Sequence, residues 1–360
     1  MLILNADHVK SVLSMKGCME ALEDAYRENA LGRAVNHSRT HLHMTVPETD
    51  RLYRFKTMPG GLEKLGLLAI RLNSDMVSFP VKNGQRSQVK IAAAPGERFV
   101  GQILLYNAAD LRLVALLSEG AIQLYRVGGT SGISTKYMAK KNASVIGLFG
   151  SGQQARTQVL AHCLARSIKL IKVFSPNPEH RRRFADEMSK EAQVEIKPVD
   201  TPQECAKGVD ILAVATDSRS PVIKAEWLEP GMHITGVGNE LDAEGRNKVD
   251  IYSHRDRHIH GWENWWSEAS LKRMDEIWPG HEKVYGRANR ERVSEFPTIG
   301  EIIVGQVSGR DNDEQITYFH SGIGLGIEFA AVGAQIIAMA KERKLGLDVP
   351  DDWFSQTEHT

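Results

Sequence analysis

The chain has little cysteine, with three residues in 360. Cys18, Cys163 and Cys205 lie far apart and are odd in number, which argues against a disulfide scaffold or a zinc site built on cysteine. An apolar run of membrane-spanning length is missing, and the first ten residues do not have the pattern of a signal peptide. We therefore expect a cytoplasmic protein with no membrane partner.

Net charge is missing too, because 45 basic residues balance 45 acidic ones. Without a basic stripe, a nucleic acid is not expected as a partner. Two histidine pairs, His41 with His43 and His258 with His260, have no third ligand beside them in the sequence, so no bound metal is expected. The length and the 42% hydrophobic content suit two domains with sizeable cores.

The most specific pattern that is present is a glycine-rich turn after a short apolar run, 145–149. The turn fits G-x-G-x-x-A and consists of Gly150, Ser151, Gly152, Gln153, Gln154 and Ala155. Gly150 permits a tight turn, Gly152 leaves room for phosphates, and Ala155 lets the following helix pack closely on the strand. The helix N-terminus offers free N–H donors to an anion. The motif predicts a dinucleotide site; a glycine-rich turn without a ligand is the alternative.

Hydrophobic periodicity divides the chain into a central α/β unit and an outer part. From residue 143 onwards, strand and helix patterns alternate, which predicts a parallel sheet with helical crossovers. The strands of this unit are expected at 144–149, 170–174, 194–199, 211–215 and 233–237, and its helices near 154–165, 178–191 and 201–207. The outer part is predicted to contain helices at 7–31 and 119–141, strands within 52–117 and a long helix at 323–344. Glycines at 322, 324 and 326 indicate close approach to a backbone or a ligand.

The end of the second strand of the α/β unit bears on the choice of cofactor. NAD sites commonly have an acidic residue there for the ribose hydroxyl, whereas this chain has Ser175, Pro176 and Asn177, followed by Arg181. Hydroxyl, amide and guanidinium groups suit the 2′-phosphate of NADP. We expect NADP, with NAD as the alternative. The alternative for the arginines at 181–183 is the solvated start of a helix. Further lining is expected at the ends of later strands, from Thr216, Val237 and Gly238.

The chain resembles the ornithine cyclodeaminase/mu-crystallin family. The segments that carry the resemblance are 37–39, 58–60, 125–130, the glycine turn, 228–233, 296–298 and 309–310. The match spans most of the chain and is weakest at 255–292. It implies an α/β fold with a Rossmann NAD(P)-binding domain at 136–318. An α+β domain for substrate binding and dimerisation would be built from 1–135 and 319–360, and a homodimer is expected.

The resemblance also assigns roles to single residues. Arg39 and Arg126 match arginines that bind the substrate carboxylate, and Thr130 falls where the family contacts the pyrophosphate. Arg71 replaces a lysine that hydrogen-bonds the substrate. It can anchor or polarise, but a guanidinium is a poor proton donor because it is effectively never deprotonated. Lys56 is a rival for the role of that lysine.

A second departure concerns the catalytic acid. Cyclodeaminases have an aspartate after the strand that corresponds to 233–237. Ungapped alignment puts Glu240 there, whereas a two-residue insertion puts Asp242 there. The alternative for Asp242 is a cap on a helix at 243–248, because aspartate is favoured at that position.

Together these expectations predict an NAD(P)-dependent oxidoreductase that acts on a C–N bond. It would reduce an α-imino acid, or oxidise an α-amino acid, by hydride transfer. Arg39 and Arg126 would bind the carboxylate, Arg71 would orient the substrate, and Glu240 or Asp242 would handle protons. Two alternatives stay open: a cyclodeaminase that releases ammonia, and a non-catalytic, crystallin-like NADP-binding protein.

Overall fold

The structure is a computed structural model that describes residues 1–82, 85–86, 88–218, 220–237, 240–257, 262–279 and 295–357. In these ranges two large sheets organise the chain, and helices pack on both. The architecture confirms the predicted α/β class, with one parallel sheet and one largely antiparallel sheet.

The second sheet along the chain is entirely parallel. Its strands, in spatial order, are Glu195–Pro198, Leu170–Phe174, Val145–Phe149, Ile211–Ala215, His233–Val237, Thr317–His320 and Ile251–Ser253. Runs such as Ile211–Ala215 are apolar throughout because both faces of a parallel sheet are covered. The crossover helices are Gln153–Ala165, Pro178–Ala192 and Pro202–Ala206, as the alternating pattern predicts.

The first sheet combines strands from distant parts of the chain. Its main path is Trp262–Trp266, Arg39–Thr45, Leu52–Leu62, Leu67–Ser78, Val100–Asn107, Leu113–Ser118, Leu2–Leu4 and Leu347–Asp348. Ala34–Asn36 and Val89–Ile91 pair at its sides, and Val81–Lys82 pairs with Gln85–Arg86 in a separate hairpin. The two long strands pair antiparallel from Leu52 opposite Val77 to Leu62 opposite Leu67. Their side chains alternate between an outer face and an inner face, and the inner face is turned towards the rest of the molecule.

Two helices bring the sheets together. Gly120–Met138 packs on Met15–Ala30 at one side and on Gln153–Ala165 at the other. The long helix Gly326–Glu342 packs on the inner face of the first sheet. A Cβ on Gly326 would lie 2.2 Å from the carbonyl oxygen of Pro59, which confirms the predicted close approach to another backbone.

The structure changes some details of the predicted pattern. The helix expected at 7–31 is divided into Ala6–Val12 and Met15–Ala30, because the Ser14 side chain accepts the N–H of Gly17 at 3.1 Å and starts a new helix. The remaining α-helices in the described ranges are Ala243–Asn247, Glu268–Ile277 and Ile299–Ile303. None of the helices described is both long and apolar enough to span a bilayer.

The division of the chain into two domains, one of 1–135 with 319–360 and one of 136–318, stays a prediction. Its first boundary falls inside the helix Gly120–Met138 and its second inside the strand Thr317–His320. The strand Trp262–Trp266, which that division puts in the nucleotide-binding part, pairs instead with Arg39–Thr45 of the first sheet. The backbone of Trp262–Trp266 pairs with the edge of Arg39–Thr45, which would otherwise be left without a neighbour. This strand is therefore part of the first sheet.

Candidate active site

A cavity of about 880 Å³ lies at the carboxyl ends of the parallel strands. Its volume is typical of small-molecule sites, and doubly wound sheets bind ligands at this edge. The lining comes from the glycine turn, the end of the second strand and the loops after two further strands: 149–154, 174–177, His180, Pro202, 215–218, Val222 and Val237.

The glycine turn has the geometry that a dinucleotide needs. Gly150 has φ +117°, and a Cβ there would lie 2.2 Å from the carbonyl oxygen of Ala215, so this position requires glycine. A Cβ on Gly152 would meet no atom within 4 Å, which leaves the backbone open beside the cavity. The helix Gln153–Ala165 begins directly after it and supplies free N–H groups. Ala155 is fully buried in the core below the turn, where it packs rather than contacts a ligand.

Most of the predicted cofactor residues line this cavity together: Gly150, Ser151, Gly152, Gln153, Gln154, Ser175, Asn177, Thr216 and Val237. The hydroxyl of Ser151 donates to Ser175 at 2.9 Å, which ties the glycine turn to the second strand. Asn177 also caps the helix Pro178–Ala192 by accepting two backbone N–H groups. Gly238 lies outside the described residues.

Two predicted cofactor residues do not line this cavity. Arg181 is buried, donates to the carbonyl oxygen of Ser175 at 3.1 Å and pairs with Asp200, so it braces the end of the strand rather than lining the cavity. Thr130 is fully buried between helices, where it bonds the Tyr26 hydroxyl at 2.7 Å and donates to the carbonyl of Arg126. Both side chains are engaged within the protein, and their expected contacts with the 2′-phosphate and the pyrophosphate stay predictions. His180, which sequence reasoning missed, lines the cavity instead.

Charged side chains cover the inner face of the first sheet. The register puts His43 opposite Arg54 and Arg54 opposite Asp75, and the next level carries His41, Lys56 and Asn73. All six are at least nine-tenths buried, and Arg39 and Arg71 lie further along the same strands: Arg39 is half-buried and Arg71 is buried. His43 stacks on the Trp266 ring at 4.1 Å, which closes one end of the face.

Arg71 and Arg126 lie near one aromatic ring, that of Phe329 on the long helix. Their guanidinium carbons are 5.6 Å and 5.4 Å from the ring centroid. Arg71 donates from Nε to Glu119 at 2.7 Å, and Arg126 pairs with Glu328 at 2.9 Å. Phe329 thus holds two cations together while separate carboxylates fix their orientation.

The positive charges of Arg71 and Arg126 also act on Arg39. Burial lowers its pKa to about 9, and the positive charges of Arg71, Arg54 and Arg126 add to this effect. The structure therefore brings Arg39, Arg71 and Arg126 into one electrostatic neighbourhood. An anion bound among them would relieve the repulsion, which is the property that a carboxylate site needs.

Glu328 is the main residue of this neighbourhood that sequence reasoning missed. It is fully buried and accepts hydrogen bonds or ion pairs from Tyr26 at 2.7 Å, Arg126 at 2.9 Å and Arg255 at 3.0 Å. Arg255 also donates to Ser321 at 2.9 Å, on the loop between the strand Thr317–His320 and the helix Gly326–Glu342. An acid in the first turn of an otherwise apolar helix was the available signal, since such a residue needs buried partners.

The structure separates the two candidate acids. Asp242 accepts the N–H of Gly245 at 2.6 Å and caps the helix Ala243–Asn247, which supports the structural alternative over catalysis. Glu240 is 3% exposed and accepts from the Tyr318 hydroxyl at 2.8 Å, and that hydroxyl is 3.1 Å from His320 Nδ1. Burial raises the pKa of Glu240 to about 7, so its carboxyl can gain and lose a proton near neutral pH.

Lys56, the rival to Arg71, lies at the centre of the inner face. It pairs with Asp75 and donates to Asn73 Oδ1 at 3.2 Å. Burial, and then the charge of Arg54, lower its pKa to about 6. Within the described residues, no group of three or more histidine, cysteine, aspartate or glutamate side chains could hold a metal ion; His258 and His260 lie outside them.

Residues 1–344 match the sequence model of the ornithine cyclodeaminase/mu-crystallin family. Alanine dehydrogenase of Archaeoglobus fulgidus is 28% identical over 354 residues, which are 96% of this chain and 97% of that protein. The solved structure of Thermococcus litoralis Δ1-pyrroline-2-carboxylate reductase, in complex with NADH and L-proline, is 31% identical with a TM-score of 0.75 and covers 97% of this chain and 100% of its own. An archaeal alanine dehydrogenase dimer with bound NAD is 26% identical with a TM-score of 0.73, at 97% and 99% coverage.

Proposed function

Because the chain belongs to the ornithine cyclodeaminase/mu-crystallin family, we propose that it is an NAD(P)-dependent oxidoreductase acting on the C–N bond of an α-imino or α-amino acid. The observation that carries this proposal is the position of the two sites. A cavity lined by the glycine turn lies at the edge of the parallel sheet, and buried basic side chains lie on the inner face of the first sheet. Alanine dehydrogenase and pyrroline-carboxylate reductase relatives act on substrates of this class by their names, which supports the same chemistry here.

The cofactor residues are the cavity-lining set. Gly150, Gly152 and the start of the helix Gln153–Ala165 would hold the pyrophosphate, and Ser175 and Asn177 would lie at the adenosine end. NADP is the proposed preference and NAD the alternative, because Ser175 and Asn177 carry no negative charge to oppose a 2′-phosphate. When bound, the nicotinamide supplies or accepts the hydride.

The substrate residues are three arginines. Arg39 binds the substrate carboxylate, with Arg126 beside it, and Arg71 polarises or orients the reacting group. Glu119 and Glu328 hold Arg71 and Arg126 in place, so these two cations are already oriented before the substrate arrives. Arg39 is proposed as the main carboxylate ligand because it matches the family arginine with that role.

Proton transfer is assigned to Glu240. Its carboxyl is partly protonated at neutral pH, and the Tyr318 hydroxyl holds one of its oxygens in place. Asp242 is left as a helix cap. In the reductive direction Glu240 would provide a proton to the nitrogen of the substrate, directly or through water, while the three arginines keep the acid end of the substrate fixed.

Nicotinamide absorbance tests the proposal. The purified protein is mixed with NADPH or NADH, an α-keto acid and ammonium or methylamine, which form imines in solution. We expect consumption of the reduced cofactor in proportion to the amino acid formed. Release of ammonia from a diamino acid without net change of cofactor would indicate a cyclodeaminase instead, and cofactor binding without turnover of any imine or amino acid would indicate a binding protein.

We also infer that the protein is a homodimer that associates through the outer face of the first sheet. Leu42, Met44 and Trp265 lie there with exposures of 46%, 53% and 58%, and Trp265 is directly opposite Leu42. A cluster of large apolar side chains in water is typical of an interface. The archaeal alanine dehydrogenase is described as a dimer, which supports the proposal.

Analytical ultracentrifugation tests the dimer. Leu42→Glu should shift the protein towards monomer, because it would bury charge in the interface. Leu164→Glu is the matched control, since Leu164 is 52% exposed on a helix of the other sheet, and it should leave the association unchanged. A monomeric wild type, or equal effects of both variants, would contradict the proposal.

The cytoplasm remains the proposed compartment. All three cysteines are free thiols, and Cys18 and Cys205 are buried, as expected for a protein kept in a reducing environment. Fractionation of the source cell with an antibody would test this.

A further inference from the structure

Cations outnumber carboxylates on and around the inner face of the first sheet. Among the described residues, seven basic side chains, Arg39, Arg54, Lys56, Arg71, Lys90, Arg126 and Arg255, lie with three carboxylates, Asp75, Glu119 and Glu328. Lys90 is half exposed and the pKa of Lys56 is lowered to about 6, so the arginines carry most of the buried positive charge. Asp75 alone is shared by Arg54, Lys56 and Lys90. One substrate carboxylate on Arg39 would leave Arg54 buried with only a long contact to Asp75, and a buried charge is costly unless it is paired.

The side chain of Arg54 is only weakly paired. It is 7% exposed, and its Asp75 contact is long, at 3.4 Å. Its buried Nε has no hydrogen-bond acceptor within the part of the chain that the structure describes. A guanidinium has five N–H donors, so a nearly buried arginine with one weak contact has donors available for a ligand.

Arg54 is also positioned to act together with Arg39. His43, which lies opposite Arg54, is four residues along its strand from Arg39, a backbone separation of about 13 Å. His41 and Lys56 form the level between them. The charge of Arg54 nevertheless ranks among the largest influences on Arg39, so the two long side chains lie within electrostatic range across this level. The depressed pKa of Lys56, about 6, has the same origin, since burial and the neighbouring Arg54 disfavour its charge.

We propose that Arg54, with Lys56 beside it, forms a second anion subsite, and that the substrate is an α-imino acid whose side chain carries a second carboxylate. The inference rests on the proposed function, because Arg39 is taken to hold the α-carboxylate. The second carboxylate would lie at the level of His41 and Lys56, accept from the free Nε of Arg54 and reduce the repulsion among the cations. A monocarboxylic imine of the same length would leave these donors without an acceptor, which is how a buried polar site rejects a substrate.

The experiment compares three imines formed with ammonium, from pyruvate, oxaloacetate and 2-oxosuccinamate, the neutral amide that matches oxaloacetate in shape. We expect kcat/KM to be at least about tenfold higher for the dicarboxylic imine than for either of the others. Arg54→Gln should abolish most of this preference. The control Arg51→Gln removes an exposed arginine three residues away and should retain the preference. Equal kcat/KM values for the three imines in the wild type would overturn the inference without harming the proposed function.

If no imine is reduced, the result counts against the proposed function and not against the subsite. A binding measurement then tests the subsite by itself. Succinate and its monoamide succinamate are titrated calorimetrically into the wild type and both variants, with melting temperatures to check folding. Tighter binding of succinate than of the amide, lost in Arg54→Gln and kept in Arg51→Gln, supports the subsite. Indifference of the wild type to the second carboxylate overturns it, whether or not Arg54→Gln folds.

Discussion

The two halves of the candidate site are built on opposite principles. The dinucleotide cavity is formed by one turn and the ends of neighbouring strands, with glycines and backbone N–H groups at its centre. The inner face of the first sheet depends on side chains, since buried arginines, lysine and carboxylates come from strands and helices far apart in the chain. Substitutions should therefore act through backbone access in the first half and through charge in the second.

The difference also concerns how binding is prepared. In the cavity, the site is prepared for a ligand by open space beside the backbone, because a Cβ on Gly152 would meet no atom within 4 Å. On the inner face the preparation consists of electrostatic stress: burial lowers the pKa of Arg39, and its cationic neighbours lower it further. A ligand relieves that stress, so its affinity depends on the number and position of its negative charges.

The largest expected effect is on the charged half. Arg39→Ala should reduce transition-state stabilisation by about 2–5 kcal/mol, because it removes the partner of a buried carboxylate. The value of kcat/KM should fall accordingly, on the order of 30- to 5,000-fold. The dissociation constant of NADPH should hardly change, since Arg39 lies outside the cofactor cavity. Arg39→Lys should recover little, because an ammonium cannot make a two-pronged contact.

Steady-state kinetics and cofactor titration check this prediction, with Arg51→Ala as the surface control. Comparable loss of cofactor affinity in Arg39→Ala would break the separation between the two halves. Near-wild-type kcat/KM would place the substrate carboxylate elsewhere.

Glu240 should have the next largest effect and a characteristic pH dependence. Its pKa is raised by burial to about 7, so the protonated form that donates is present below that pH and is lost as pH rises through it. The kcat/KM for imine reduction should accordingly fall above about pH 7. Glu240→Gln should lower kcat/KM on the order of 10²-fold at pH 6 and flatten that limb of the profile.

The control for this profile is Glu244→Gln, which changes an exposed acid in the same segment. An unchanged pH dependence in Glu240→Gln would assign the titration to another group. The imine must be supplied at the same concentration at each pH, since its formation in solution is itself pH-dependent.

A smaller effect is expected at Gly152. Gly152→Val should raise the dissociation constant of the dinucleotide at least about tenfold, because its side chain would fill the space beside the backbone donors, while the melting temperature should change little. Gly120→Val is the control, since a Cβ there also meets nothing within 4 Å but lies at an exposed position far from the turn motif in sequence. Equal cofactor affinity in the two variants would show that the turn does not approach the phosphates.

The same contrast explains how much of the candidate site could be predicted from the sequence. The glycine turn is contiguous, and its residues 150–154 line one cavity together with Ser175, Asn177 and Thr216. Their contact with a dinucleotide stays a prediction. Residues such as Glu119 and Glu328 escaped prediction because their partners are 48 and 202 positions away, and only the completed fold brings each acid to its arginine.

Arg71 and Lys56 were named from the sequence, but the buried charged face to which they belong was missed, although it had a local signal. Arg54 and Lys56, and likewise Arg71, Asn73 and Asp75, recur at every second position, which places them on one face of each strand. Alternating polar residues on a strand with apolar neighbours usually indicate a solvated face, whereas here that face is the buried one. The pattern identifies the side of the strand, but burial depends on the helix Gly326–Glu342 and on Trp266, which close over it from elsewhere in the chain.

The smallest expected effect is at Ser175, where an added charge should change the choice of cofactor. Ser175 lines the cavity at the end of the second strand and accepts a hydrogen bond from Ser151 at 2.9 Å. Ser175→Asp would add a negative charge, which repels a 2′-phosphate and accepts from a free ribose hydroxyl, so the ratio of NADPH to NADH affinity should fall several-fold to about tenfold. Ser175→Asn has nearly the same size without the charge and should leave most of the ratio intact. Titration of both reduced cofactors by nicotinamide fluorescence measures it; equal shifts in the two variants would mean that shape, not charge, governs this end of the cavity, and a wild type that binds NADH more tightly would reverse the proposed preference for NADP.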